Sequence, residues 1–238
     1  MRIMTSEIVA IIPARGGSKG LTRKNIIDFC GKPLVAWSIE DAKKSKYINK
    51  VYISTDDDKI TKIAFNFGAE VINRPAEISG DTATSESALM HVIKSQKLTE
   101  CEYIVFLQAT SPLRETTGIN QAIELIKSEN ADSLFSSCYV GEMNLWREKN
   151  GTFASINYDY KNRLRRQDAE KVYGKQYHEN GSFYIFKPKG FIENNNRLFG
   201  KIITYVQEDW KWPQIDSMND FFVCEKVFRE HLAYKLSL

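Results

Sequence analysis

Ile8-Val9-Ala10-Ile11-Ile12, running into Pro13-Ala14-Arg15-Gly16-Gly17-Ser18-Lys19-Gly20, is the stretch from which the fold can be read. An unbroken apolar run, β-branched at every position but Ala10, suits a strand covered on both faces of a sheet. It stops at a glycine-rich basic loop, so a buried strand delivers that loop to the sheet's carboxyl edge. Tyr103-Ile104-Val105-Phe106-Leu107 repeats the pattern and ends in Gln108-Ala109-Thr110-Ser111-Pro112. Around these two runs the spacing predicts helices over 34–43, 85–95 and 116–127, and another reaching about Phe67 with Asp56 or Asp57 as its cap. Strands are predicted over 51–54, 70–72 and 133–138. Such alternation implies a parallel sheet with helices on both faces. Ligands of these sheets bind outside the carboxyl ends of the strands, where both loops lie.

The composition sets bounds. The chain has 238 residues, 42% hydrophobic and 26% charged, which is ordinary for a folded globular protein. A net charge of +3, with no basic block or aromatic-interleaved stripe, argues against a nucleic-acid partner. Cys30, Cys101, Cys138 and Cys224 are scattered without metal-ligand spacing, which argues against zinc and for a reducing compartment. The run 8–12 is too short for a signal-peptide core, and nothing later approaches a membrane span. The expectation is a cytoplasmic protein with no membrane partner.

Residues 140–178 are polar, rich in Arg, Lys, Asn and Tyr, and without a clear period. They read as an excursion from the sheet: an extended hairpin, a lid or a partner-binding arm. Alternation resumes over 182–186 and 202–206, and an amphipathic helix is expected from about 219 to 234. The organisation expected is one domain over 1–238 with an insertion at about 140–178. Tyr139, Leu145, Trp146 and Phe153 have no obvious place to be buried in such a domain, and exposed apolar groups of that size mark a partner surface. A homodimer is the reading.

The loop after Ile12 carries the chemistry. Gly16, Gly17 and Gly20 free main-chain amides to approach a ligand, and a run of such amides makes a nest for anions. Arg15, Lys19, Arg23 and Lys24 add a basic cradle of polyphosphate size. The loop is not GxxxxGK[ST], which excludes a P-loop hydrolase, and not GxGxxG opening directly into a helix, which disfavours a dehydrogenase. Gln108, an amide at the end of an apolar strand, needs hydrogen-bond partners. Asp216 lies just before the last helix, where it either caps that helix or offers a carboxylate to a metal.

Residues 11–26, Ile-Ile-Pro-Ala-Arg-Gly-Gly-Ser-Lys-Gly-Leu-Thr-Arg-Lys-Asn-Ile, closely resemble the N-terminal signature of the acylneuraminate cytidylyltransferases, the CMP-sialic acid synthetases. Four further blocks resemble that family in order: Arg74-Pro75-Ala76-Glu77 with Asp81-Thr82-Ala83-Thr84-Ser85, then Leu107–Arg114, then Asn180–Tyr184, then Ile215-Asp216. The resemblance implies a mostly parallel, Rossmann-like three-layer sheet of the nucleotide-diphospho-sugar transferase type, with a protruding dimerisation arm. It implies transfer of CMP from CTP to the anomeric hydroxyl of a nonulosonic acid (sialic, legionaminic or pseudaminic), with Mg2+ present and pyrophosphate released. By that likeness Arg15, Gly16, Gly17 and Ser18 would hold the triphosphate and Lys24 would sit at the α-phosphate. Asn25, Arg74, Ala83 and Ser85 would contact the cytidine. Gln108, Thr110, Ser111, Asn180 and Tyr184 would form the sugar side, with Arg166 for the sugar carboxylate and Asp216 for the metal.

The sequence departs from the family pattern in places. Ala109 stands for the usual Pro, Gln214 stands where relatives often carry a second Asp, and His178-Glu179 stands where many place an arginine. Gln214 is expected to give the metal at most a neutral oxygen. The alternatives are a same-fold nucleotidyltransferase for another sugar and a non-catalytic nucleotide-binding module.

Overall fold

Val9 and Ile11 pack into one face of a sheet and Ile8, Ala10 and Ile12 into the other, as the unbroken apolar run requires. In the computed structural model, which describes residues 7–17, 20–139, 141 and 143–237, this strand is β1 (Ile8–Pro13). A short hairpin, β2 (Asp28–Phe29) and β3 (Lys32–Pro33), leads into α1 (Leu34–Lys44). The chain continues through β4 (Ile48–Thr55), α2 (Asp58–Asn66), β5 (Glu70–Asn73), α3 (Ser85–Ser95) and β6 (Tyr103–Leu107). Then come α4 (Thr116–Ser128), β7 (Ser133–Tyr139), β8 (Trp146–Lys149), β9 (Thr152–Ser155) and α5 (Arg166–Tyr173). The last elements are β10 (Tyr177–Phe186), α6 (Pro188–Asn194), β11 (Ile202–Gln207) and α7 (Met218–His231).

Seven strands form the main sheet in the order β11-β7-β10-β6-β1-β4-β5. All neighbours run parallel except β10, which is antiparallel to both β6 and β7. The sheet is therefore mostly parallel, as expected, with one reversed strand. Helices α1, α2 and α4 cover one face through Val35, Ile39, Ile60, Ile119 and Ile123. Helix α3 and Phe191 of α6 cover the other. Helix α7 lies on a third cluster in which Phe221 and Phe228 meet Phe29 and Trp37. Phe29 makes edge-on contacts with both phenylalanines, and the Trp37 indole donates to the Phe29 carbonyl at 2.8 Å, so a buried polar handle is satisfied.

Two expected boundaries move. Strand β4 begins at Ile48 instead of 51, because Ile48 pairs with Ile8 although the next two residues are polar. Strand β10 begins at Tyr177 instead of 182. Its first three residues pair with β7, the register then shifts between Glu179 and Tyr184, and Gly181 takes a positive φ of 60° within the shift. Main-chain pairing needs no apolar side chains, so the polar start of β10 gave no strand signal.

Between β7 and β10 the excursion is a β8–β9 hairpin closed by Asn150-Gly151, followed by α5. Both turn residues have positive φ, the geometry of a two-residue hairpin loop. Leu145, Trp146, Phe153, Ile156 and Val172 of this segment are exposed, Phe153 to 64%. No helix among the described residues is long and apolar enough to cross a membrane.

Candidate active site

An open cleft of about 370 Å³ lies where β1 and β6 end. Nine of the residues to which the resemblance gave a site role line it: Arg15, Lys24, Asn25, Arg74, Ala83, Ser85, Gln108, Thr110 and Asp216. Pro13, Gly20, Thr84, Phe106 and Ala109 complete the lining. Among the described residues, three cations and one carboxylate line it, and each cation is held by its own neighbours. Arg15 Nη1 donates to the Gly80 carbonyl at 2.7 Å and lies 3.6 Å from Asp81 Oδ1. Arg74, 6% exposed, donates from Nε to Ser54 Oγ at 3.1 Å and from Nη2 to the Ser54 carbonyl at 2.6 Å. Burial lowers the pKa of Arg74, a pull opposed by the Asp56 carboxylate and reinforced by the Arg15 cation. Two guanidiniums that repel each other at a cleft wall are both stabilised by an anion between them.

Lys24 spans the cleft. Its Nζ donates to the Ile215 carbonyl and to Asp216 Oδ1, both at 2.8 Å, so the loop after β1 is tied to the loop before α7. Asn25 Nδ2 donates to the Arg15 carbonyl at 2.9 Å, fixing the start of the glycine loop. A Cβ on Gly20 would come 2.3 Å from the Asp216 carbonyl oxygen, so only glycine lets the two loops approach this closely. Ser18 and Lys19 lie outside the described residues. Gly17 has open space around it. The Gly16 amide, expected to face a phosphate, instead donates to Asp56 Oδ1 at 3.0 Å. Arg23 is not in the cleft lining; with Asp57 and Ile60 it borders a small cavity beside it.

Asp216 does not cap α7. Ser217 is the N-cap: its hydroxyl accepts from the Asp220 amide at 3.3 Å, and Asp220 Oδ2 accepts from the Ser217 amide at 2.8 Å, a capping box. The side chain of Asp216 is 76% exposed, with Lys24 as its ion partner. The cap of α3 likewise belongs to Thr84, whose hydroxyl accepts from the Ser87 amide, and not to Ser85, which is left facing the cleft.

The expected sugar side divides. Gln108 and Thr110 face the cleft, and the Thr110 hydroxyl lies 3.4 Å from Gln108 Oε1. Ser111 is buried and its hydroxyl has no protein partner. Asn180 corrects the expectation of a sugar contact. It is fully buried, with Oδ1 accepting from Ser136 Oγ and Nδ2 donating to Gln207 Oε1 and the Lys211 carbonyl. An amide so satisfied has nothing left for a ligand, and its part is to hold the turn at Gly181. Tyr184 is a core residue, stacked on Phe106 at 5.4 Å with its hydroxyl bonded to Glu179. Burial, and then that carboxylate, push its pKa up. Arg197 lies over both rings and is paired with Glu86. Arg166 stands apart from the cleft, in the excursion, where it lines a small cavity with Tyr139, Gly141 and Tyr173.

Gln214 is also placed otherwise than expected. Its Nε2 donates to the Asn180 carbonyl, and a Cβ on Gly181 would meet it before anything else. The amide therefore secures the Asn180-Gly181 turn. Phe106 was read as part of a buried strand, and its place in the cleft lining had no sequence signal, because a strand's last residues look the same whether or not a ligand covers them; Thr84 lies in the Asp81–Ser85 block that resembles the family.

This geometry can be compared with known proteins. A mostly parallel α/β sheet of this kind superposes on a solved CMP:2-keto-3-deoxy-manno-octonic acid synthetase complexed with CTP. The TM-score is 0.67 over 97% of this chain and 100% of that one, at 18% identity, a likeness of fold. The profile of the cytidylyltransferase family matches residues 9–209, and the chain belongs to that family, in its N-acylneuraminate and nonulosonic-acid branch. It is 30% identical to an N-acylneuraminate cytidylyltransferase of Escherichia coli O18:K1:H7 over 99% of this chain and 55% of the relative. It is 34% identical to a pseudaminic acid cytidylyltransferase of Campylobacter jejuni, serotype O:23/36, over 79% of this chain and 81% of that protein. The chain spans about half the length of the N-acylneuraminate relatives it matches.

Proposed function

We propose that the chain transfers CMP from CTP to the anomeric hydroxyl of a nonulosonic acid. The observation that carries this is the cleft at the ends of β1 and β6, in which Arg15, Lys24 and Arg74 face the single lining carboxylate Asp216, with Gln108 beside them. The sugar's anomeric oxygen forms a bond to the α-phosphorus, the bond from that phosphorus to the bridging oxygen breaks, and pyrophosphate leaves with its electron pair. The hydroxyl proton passes to solvent. In-line displacement at phosphorus needs positioning and charge neutralisation more than a covalent intermediate. Arg15 and Arg74 bind and orient the nucleotide. Lys24, freed from Asp216, meets the charge that grows at the α-phosphate. Ala83 and Ser85, at the entry to α3, face the base, and Gln108 orients the sugar.

The donor set suits Mg2+. No group of three metal-ligating side chains exists among the described residues, but Mg2+ commonly takes one or two carboxylates and completes its shell with phosphate oxygens and water. Asp216, exposed and held among the described residues by Lys24, would be that carboxylate. When bound, the ion would supply neutralisation of the triphosphate charge.

We also read the chain as one catalytic unit, 1–238, whose arm at about 140–178 packs on a second copy. The exposed Leu145, Trp146, Phe153 and Val172 support this. Arg166, which lines a separate cavity in the arm, would on this reading reach the carboxylate of a sugar in a neighbouring copy's cleft. The test is incubation with CTP, Mg2+ and a panel of nonulosonic acids while pyrophosphate is followed. Release that needs both CTP and one of the sugar acids is expected; release without any acceptor, or with none of the panel, would count against the reading.

A further inference from the structure

Arg114 is wholly buried, and the reaction proposed above gives it no task. Its Nη2 donates to Ser38 Oγ at 2.6 Å and to the Gln108 carbonyl at 3.1 Å, and its Nη1 donates to the Ser182 carbonyl. The Gln108 amide donates to the same Ser182 carbonyl at 3.3 Å. One guanidinium thus clamps the end of β6 to the turn that follows Gly181. Gln108 Nε2 lies against that turn, 3.2 Å from where a Gly181 Cβ would be.

The charge of Arg114 is balanced from far along the chain. Its Nε lies 3.9 Å from Asp41 Oδ2. Asp41 Oδ1 accepts at 3.0 Å from Nζ of Lys235, which also donates to the Arg114 carbonyl. Lys235 belongs to the final turn, Ala233–Ser237, and is itself buried. Burying two cations around one carboxylate contributes little net stability, because desolvation offsets most of the attraction. What such a cluster does supply is fixed geometry, here at the main-chain carbonyls of Gln108 and Ser182, from which the Gln108 side chain enters the cleft.

We propose that Arg114 is a positioning residue for Gln108, and that Lys235 sets Arg114 through Asp41, so that the final turn is part of the support of the sugar side of the cleft. The kinetic part rests on the reading that Gln108 orients the sugar. The nucleotide side, at Arg15, Arg74 and Ser85, has no bond to this network among those described.

The test is Lys235→Met in the full chain, read two ways. Hydrogen exchange of residues 107–112 and 180–183 should accelerate about tenfold while β1 keeps its protection, as expected when a local clamp opens without global unfolding. With the sugar acid, kcat/KM should fall about tenfold or more, since a misplacement of about 1 Å can cost up to about a hundredfold, while the Kd for CTP moves less than about twofold. Lys235→Arg should restore both. Should Lys235→Met fail to fold, Lys235→Gln, which keeps a donor for the Arg114 carbonyl, takes its place with the same pattern expected. Unchanged exchange at 107–112 in a folded variant, or equal losses for CTP and sugar, would overturn the proposal. The exchange measurement needs no turnover, so a wild-type chain inactive with every sugar acid would sink the proposed reaction while leaving the clamp to be decided by exchange.

Discussion

Lys24 and Asp216 stand 2.8 Å apart across the cleft, and their neighbours separate their roles. Because Ser217 and Asp220 cap α7, the Asp216 side chain has no part in the cap, and its one structural tie among the described residues is the exposed pair with Lys24. Asp216→Asn should abolish turnover at ordinary Mg2+ while the melting temperature stays within a few degrees, read by pyrophosphate release and calorimetry. Ser217→Ala should do the reverse. Loss of an N-cap costs about 1 kcal/mol, which is about 2–4 °C for a chain of this size, with kcat kept. If Asp216→Asn melts much earlier and remains active, the metal assignment fails. Gln214→Asp gives a third outcome. It removes the donor to the Asn180 carbonyl and puts a carboxylate beside that oxygen. It should lower the melting temperature without tightening Mg2+ binding measured by titration; tighter binding would show that position 214 reaches the metal. Arg15, Lys24 and Asn25 were legible because one short loop carries them. Asn180 was not, because its partners Gln207 and Lys211 come 27 and 31 residues later.

At the scale of elements, local signal and local structure agree where a segment's own period decides its fate. Helix α3 and strand β6 fall on the residues the pattern gave, and Asp57 caps α2 by accepting from the Lys59 and Ile60 amides. The start of β10 was hidden because its pairing with β7 is made by the main chain. The reversed direction of β10 was hidden too, since strand direction is set by the connection through the arm and not by side chains. That arm leaves Trp146 leaning on Tyr158 and Tyr160 and still 44% exposed. Light scattering at micromolar concentration should give twice the chain mass, and Phe153→Asp should halve it with little loss of melting temperature. A monomer with full activity would refute the arm's role.

Across the whole molecule, a seven-stranded sheet brings the ends of β1 and β6 side by side, although they lie almost a hundred residues apart in sequence. The basic loop and Gln108 meet there, and the loop before α7 closes over them through Lys24 and Asp216. The two apolar runs and the strand–helix alternation foretold the sheet and the edge at which the cleft opens. They could not foretell that the C-terminal turn reaches back to Arg114, because a lone lysine near a chain's end carries no pattern. The central claim is that Lys24 acts on the α-phosphate as its charge grows. The most direct measurement is Lys24→Ala, with kcat from pyrophosphate release set against the Kd for CTP from titration. A contact that strengthens in the transition state predicts a fall in kcat of about a hundredfold or more with a change in Kd of only a few-fold. An unchanged kcat with KM and Kd raised together would show that Lys24 only holds ground-state nucleotide, and would contradict the account.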